Sequence, residues 1–189
     1  MAFVHLHNHT EYSLLDGLTH IKDMVRRAAE LDMPAVAVTD HGVMSGMVEL
    51  SDACDAIEKE TGKRVKPIFG CEVYFTPDES LRKDVKPKLY HLLLLAKNNE
   101  GYHNLLKLVS ESHVDNFYYK PRTTFSMLQK YGKGIIGSPA SSRSCSTSAA
   151  LTTPWNGPVS SPAASMKATS TSSCRTRASA PTPASPRPS

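Results

Sequence analysis

Apolar positions in the first 137 residues alternate between short unbroken runs and helical repeats. Phe3–Leu6 reads as a short buried strand, and Leu14–Gly17 as a turn. Ile21, Met24, Val25, Ala28, Ala29 and Leu31 recur at helical spacing, which predicts a helix capped by Thr19 and ended by Pro34. Ala35–Thr39 is apolar without alternation, the pattern of a strand covered on both faces. A second helix is predicted from Gly46 to Glu60 with Gly62 as its stop, and a third strand over Pro67–Phe75. A charged loop, Thr76–Lys88, leads to a strand over Leu89–Ala96. Helices follow over Tyr102–His113 and Phe125–Tyr131, and Gly134–Gly137 begins a fifth strand. Strands alternating with helices predict parallel βα units, so the fold class is α/β. Polar residues recurring at strand ends favour a barrel-like sheet over an open doubly wound one. Neither GxGxxG nor GxxxxGK[ST] occurs, which leaves a Rossmann or P-loop nucleotide site without support.

The pattern stops at Gly137. Of the 52 residues from Ser138 to Ser189, Ser, Ala, Pro and Thr make up 39, with no acid, Ile, Phe or Tyr. Such a segment buries too little apolar area to offset its ordering entropy. The expected organisation is therefore one incomplete domain over 1–137 and a disordered low-complexity tail over 138–189. The switch falls inside a strand, where no domain boundary belongs. Its residue types are those that GC-rich DNA encodes out of frame, so the tail reads as a frame change.

Charge follows the same division. The net charge of +4 combines 18 acids and 13 bases before residue 116 with 9 bases and no acid after it. The folded part is therefore acidic and lacks the basic face of a duplex-DNA-binding domain. Cys54, Cys71, Cys145 and Cys174 form no CxxC pair, which excludes a zinc ribbon and a redox motif. No signal-peptide pattern or membrane-length apolar run occurs, so free thiols in a reducing cytoplasm are expected.

An acidic, histidine-rich domain suits a cation site. His5, His7 and His9 alternate beside an apolar run, and in a strand such residues share one face. Asp16, Asp40, His41, Glu72 and His91 lie at or just after predicted strands and turns. The metal-ligand candidates are His7, His9, Asp16, His41, Glu72 and His91, with Glu72 and Asp40 as catalytic carboxylates. A bridging carboxylate between two divalent ions is the chemistry of a phosphoesterase. Bland readings stand beside these. Asp40 could cap the turn or orient His41, His91 could be a core histidine, and His5 could face solvent. His20, His103 and His113 read as helix-surface residues, and Tyr12 and Ser13 fit either a structural or a substrate role.

His5–Gly17 (His-Leu-His-Asn-His-Thr-Glu-Tyr-Ser-Leu-Leu-Asp-Gly), Val-Thr-Asp-His-Gly at 38–42, Pro-Ile-Phe-Gly-Cys-Glu-Val-Tyr at 67–74 and His-Leu-Leu-Leu-Leu-Ala-Lys-Asn at 91–98 together resemble a known family. They are similar to the PHP (polymerase and histidinol phosphatase) domain at the N-terminus of bacterial DNA polymerase III alpha subunits. Phe117–Arg122 (Phe-Tyr-Tyr-Lys-Pro-Arg) narrows the resemblance to the replicative polymerases. It implies a (β/α)7-type barrel, here partial, with up to three divalent metals (Zn, Mn or Fe) on the six residues above. It also implies a phosphoesterase or 3′–5′ exonuclease-type site. In the parent protein it implies DNA-directed DNA synthesis, with DNA, a proofreading exonuclease subunit and a sliding clamp as partners. Alternatives are a free-standing phosphatase of a small monoester and a non-catalytic scaffold. The resemblance places an Asp-x-His ligand pair late in the domain, and this sequence has no acid after Asp115. The polymerase carboxylates of the family lie in another domain, so this chain is expected to show no polymerase activity and little or no hydrolase activity alone.

Overall fold

The computed structural model describes residues 3–140. The expected disorder and frame change concern a tail that lies outside the described residues, apart from its first three positions. Helix α1 (Ile21–Glu30) buries Ile21, Val25, Ala28 and Ala29, the stripe read from the sequence. Its N-cap is His20 rather than Thr19, without a side-chain cap, and the Thr19 carbonyl instead accepts from Glu11 N. Strand β1 (Ala35–Val38) is buried at every position. Helix α2 (Met47–Thr61) ends on Gly62 at φ 71, the left-handed conformation that glycine adopts without penalty. Next come β2 (Lys66–Phe75) and β3 (Tyr90–Ala96). Helix α3 (Asn99–Val114) begins three residues before the predicted start, because the Asn98 side chain accepts from Gly101 N and caps it. The described residues end with β4 (Phe117–Tyr118), β5 (Lys120–Thr123), α4 (Phe125–Tyr131) and β6 (Ile135–Pro139).

The sheet is mixed, which corrects the expectation of parallel units throughout. β1 and β5 run parallel to β2, whereas β2–β3, β3–β6 and β4–β5 are antiparallel. The cause is visible at residues 76–89. No helix forms there, and the loop returns the chain to the end of β2 that it left, pairing Phe75 with Tyr90. The strand order is β4-β5-β2-β3-β6, with β1 beside the first half of β2.

Two apolar clusters cover the outer face of the sheet. α1 and α2 pack on Val36 and Val38, and α3 and α4 pack on Cys71, Val73, Leu92 and Leu94. The opposite face carries a smaller cluster of Ala37, Leu93 and Leu95. That division gives each strand an outer and an inner set of residues at period two. Inner positions near one end of the sheet are His41, Glu72, Tyr74 and His91.

The stretch before α1 departs from expectation. Phe3–Leu6 is not a strand, and Phe3 and Leu6 are exposed rather than buried. The segment still runs beside β1, with Ala37 N donating to His5 O and Thr39 N to Asn8 O. Two residues of β1 therefore span three of the segment, which leaves one residue extra, as in a bulge. The Asn8 amide fills the gap by donating to the His5 and Ala37 carbonyls.

Candidate metal centre

The bulge decides which histidines converge. His7 and His9 meet, Nε2 to Nε2, at 3.2 Å. His5 falls on the other side of the extra residue and stacks edge-on against Phe3 instead, so the three alternating imidazoles do not share one face. Glu72 is the point where the segments join. β2 presents it inward, opposite Leu93, while His91 lies diagonally across, opposite Tyr74. Its Oε1 lies 2.6 Å from His91 Nδ1. Its Oε2 lies 2.8 Å from His7 Nε2, 3.0 Å from His9 Nε2 and 3.6 Å from His41 Nδ1. Asp16 completes the group, 3.1 Å from His41 Nε2. The structure thus brings together His7, His9, Asp16, His41, Glu72 and His91. They form three overlapping triads: His7–His9–Glu72, His9–Asp16–His41 and His41–Glu72–His91.

Local structure explains each placement. His41 follows β1 and pairs with Glu72 in a short extension of the β1–β2 ladder. Gly42 then turns the chain at φ 67, and a Cβ there would lie 2.9 Å from the Pro121 ring. Asp16 rides a tight turn in which Asp16 N and Gly17 N both donate to Ser13 O. Gly17 is required there, because a Cβ would come within 2.0 Å of the Thr10 carbonyl.

Proton positions follow from the partners. Ser13 Oγ donates its hydrogen to Asp40 at 2.8 Å, so the contact to His9 Nδ1 at 3.3 Å requires the proton on that nitrogen. His9 Nε2 is then a bare lone pair facing Glu72. Burial, helped by nearby His41, holds the His9 pKa below its ordinary value and keeps the ring neutral. His41 Nε2 lies 3.1 Å from an Asp16 oxygen, and the buried His41 Nδ1 has no hydrogen-bond partner. Burial would raise the Glu72 pKa, but bonds from His7 and His91, with His41 nearby, outweigh it and hold the carboxylate low. The unprotonated His9 Nε2, shared with His7 Nε2, and the unpartnered His41 Nδ1 therefore both face an ionised carboxylate. A cation is what such a donor set fits.

Asp40 lies elsewhere, and its reading as a catalytic carboxylate is corrected. Along β1, Val36, Val38 and Asp40 form the outer set, and Ala37 and His41 the inner one. Asp40 is fully buried and accepts from Thr10 N at 2.6 Å, Thr10 Oγ1 at 2.8 Å and Ser13 Oγ at 2.8 Å. Ser13 Oγ accepts in turn from His41 N. Asp40 thus orients His9 and His41 through Ser13 and touches neither ring. Tyr12 donates to Glu49 and packs on the α1–α2 core, a structural role.

Two contributors escaped the sequence reading. Tyr74 stacks on His41 at 5.9 Å and meets His91 at 5.2 Å. The signal was available, since Tyr74 is two residues after Glu72 in a strand. His113, read as a surface residue, donates from Nε2 to Gly42 O at 2.7 Å and ties α3 to the loop bearing His41. No pattern in the sequence announces that contact. The thiols take no part. Cys54 and Cys71 are free and buried, and burial pushes Cys54 up to about 11 and Cys71 higher still. Cys145 and Cys174 lie outside the described residues.

Residues 5–155 match the family model for the PHP domain. The chain is 46% identical over 139 residues to the DNA polymerase III subunit alpha of Helicobacter pylori, covering 74% of this chain and 11% of that one. The corresponding subunit of Deinococcus radiodurans is 42% identical over 144 residues, covering 71% and 10%. That of Chlamydia pneumoniae is 38% identical over 157 residues, covering 82% and 12%. The chain thus spans about a tenth of the length of the curated relatives it matches. Among solved structures, a protein from Bifidobacterium adolescentis described as a metal-dependent phosphoesterase aligns at TM-score 0.40 and 24% identity, over 59% of this chain and 34% of that one. No helix among the described residues is long and apolar enough to cross a membrane. With the match covering the whole described region that bears the histidine cluster, this chain belongs to the PHP domain family.

Proposed function

We propose that the Glu72 cluster is a divalent-metal site for phosphoester hydrolysis on DNA, within a longer polypeptide whose other parts synthesise DNA. One observation carries this reading: both oxygens of Glu72 are shared among four imidazoles, and the buried His41 Nδ1 that faces it has no hydrogen-bond partner. His7, His9, Asp16, His41, Glu72 and His91 would hold zinc, manganese or iron. Bound ions of this kind supply Lewis acidity and lower the pKa of water. The chain's own part is to hold the donors in place. Asp16 lies against His41 Nε2, Ser13 fixes the His9 tautomer, and Glu72 offers one oxygen to each side. The DNA polymerase III relatives support DNA as the substrate over a small monoester. Template DNA, a proofreading subunit and a sliding clamp would be the partners of the longer polypeptide.

Metal titration is the decisive experiment. The chain should bind zinc or manganese, and Glu72→Gln should weaken binding by about 100-fold or more. Hydrolysis by the 189-residue chain should be slow, because the Asp-x-His pair expected late in the domain is not in this sequence. What activity there is should act on a single-stranded DNA end, spare a small monoester, and vanish in Glu72→Gln. Failure to bind either metal would overturn the reading in favour of a scaffold.

A further inference from the structure

The β4–β5 hairpin turns on one residue, with Tyr118 paired to Lys120 and Tyr119 alone at the tip. Tyr119 sits at φ 59, a conformation uncommon for a bulky side chain. Core packing does not explain it, since the residue is 73% exposed. A strained backbone that displays an aromatic ring to solvent points to use of the ring.

The surroundings share one chemistry. Tyr118, Tyr119, Lys86 and Lys120 line a cavity of about 550 Å³, together with Asp84. Asp84 is already paired with Arg82, whereas Lys86 and Lys120 have no ion pair among the described residues. The ammonium of Lys120 lies 5.1 Å from the Tyr74 ring centre, and Tyr74 in turn touches the rings of His41 and His91. Tyr119 meets Tyr118 edge-on at the tip, and Lys120 beside them reaches Tyr74, which is buried against the metal ligands. The far wall is braced. Arg122 is buried and donates to Asn116 O, Arg82 O and Leu81 O, which pins the loop after β2 against β5.

We infer that Tyr119, Tyr118, Lys86 and Lys120 form a track that holds single-stranded DNA and leads its end to the Glu72 cluster, with the buried Tyr74 between Lys120 and the ligands. Stacking faces interleaved with unpaired cations are what an unpaired strand uses, since every base has a flat face and every link a charge. This inference rests on the phosphoester reading for the direction of the strand, but not for the binding itself.

The test is fluorescence anisotropy of labelled oligo-dT with the 189-residue chain, in EDTA and across a salt series. Tyr119→Gly removes the ring and relieves the positive φ, so folding should be kept or improved. DNA binding should nevertheless weaken about tenfold. Lys120→Gln should weaken binding and reduce the salt slope by about 0.7. Glu72→Gln should lose metal and keep DNA, which separates failure of the metal reading from failure of the track. Unchanged binding in Tyr119→Gly and Lys120→Gln would overturn the inference. So would displacement of the oligonucleotide by polyglutamate as readily as by unlabelled oligo-dT, which would make the ridge a protein-facing surface.

Discussion

Asp40 makes no contact with the ligand nitrogens, yet two of them depend on it. Its carboxylate gathers three donors from Thr10 and Ser13 in a site closed to water. Asp40→Asn would turn an amide donor toward at least one of them. The expected cost is about 2–3 kcal/mol of stability, from a buried donor left unmatched. Metal affinity should fall about 10–100-fold, because His9 and His41 lose the Ser13 anchor. Thermal unfolding and zinc titration of the same variant check both effects. Thr10→Ala should move both in the same direction, by less. The placement of Asp40 was legible in principle, since period-two alternation along 36–41 separates it from His41. The convergence of His7 and His9 without His5 was not, because the alternation rule assumes a ladder without an extra residue. No residue type marks that extra position before the Asn8 side chain is seen bonded across it.

Elements were legible where periodicity was long. α1, α2, β2 and β3 fall within a few residues of their predicted bounds, because their buried stripes and runs dominate local preference. Strand direction and the β4–β5 hairpin were not, since both depend on which end of the sheet a loop returns to. The α3–α4 junction offers a test at this scale. Glu111 on α3 accepts from Lys130 Nζ and Tyr131 Oη on α4, each at 2.7 Å. Lys130 first, and Tyr131 with it, hold the Glu111 carboxyl below its ordinary value of 4.5. A carboxylate depressed in the folded state adds stability that is fully present above its unfolded pKa. That contribution fades as pH falls through the folded value. Glu111→Gln should therefore lower stability by about 0.5 kcal/mol at neutral pH, the range of a solvent-screened pair. The gap between parent and variant in thermal midpoint should narrow as pH drops below 4.5. A gap that widens on acidification would show that another group dominates the junction.

Taken as one molecule, the domain carries its candidate ligands on five separate segments joined only by the folded sheet. A ligand bound only by the folded form stabilises it by mass action, about 2.7 kcal/mol when free metal is 100 times Kd. For a domain of this size that raises the thermal midpoint by roughly 8 °C, reversed by EDTA. An unchanged midpoint at saturating zinc and manganese would contradict the metal reading. Glu72→Gln should abolish the shift, whereas Tyr119→Gly should leave it intact.

The separation of His7 from Glu72 by 65 positions has a kinetic consequence. Their meeting requires β1, β2 and the bulged segment to be in register, so most of the loop-closure entropy is spent before any ion finds its ligands. Contacts absent from the folding transition state alter the unfolding rate and spare the folding rate. In stopped-flow measurements, saturating metal should lower the unfolding arm of the chevron and leave the folding arm in place. The ion would act as a latch on a finished fold and not as its seed, and chelation would release the domain at the speed of unfolding.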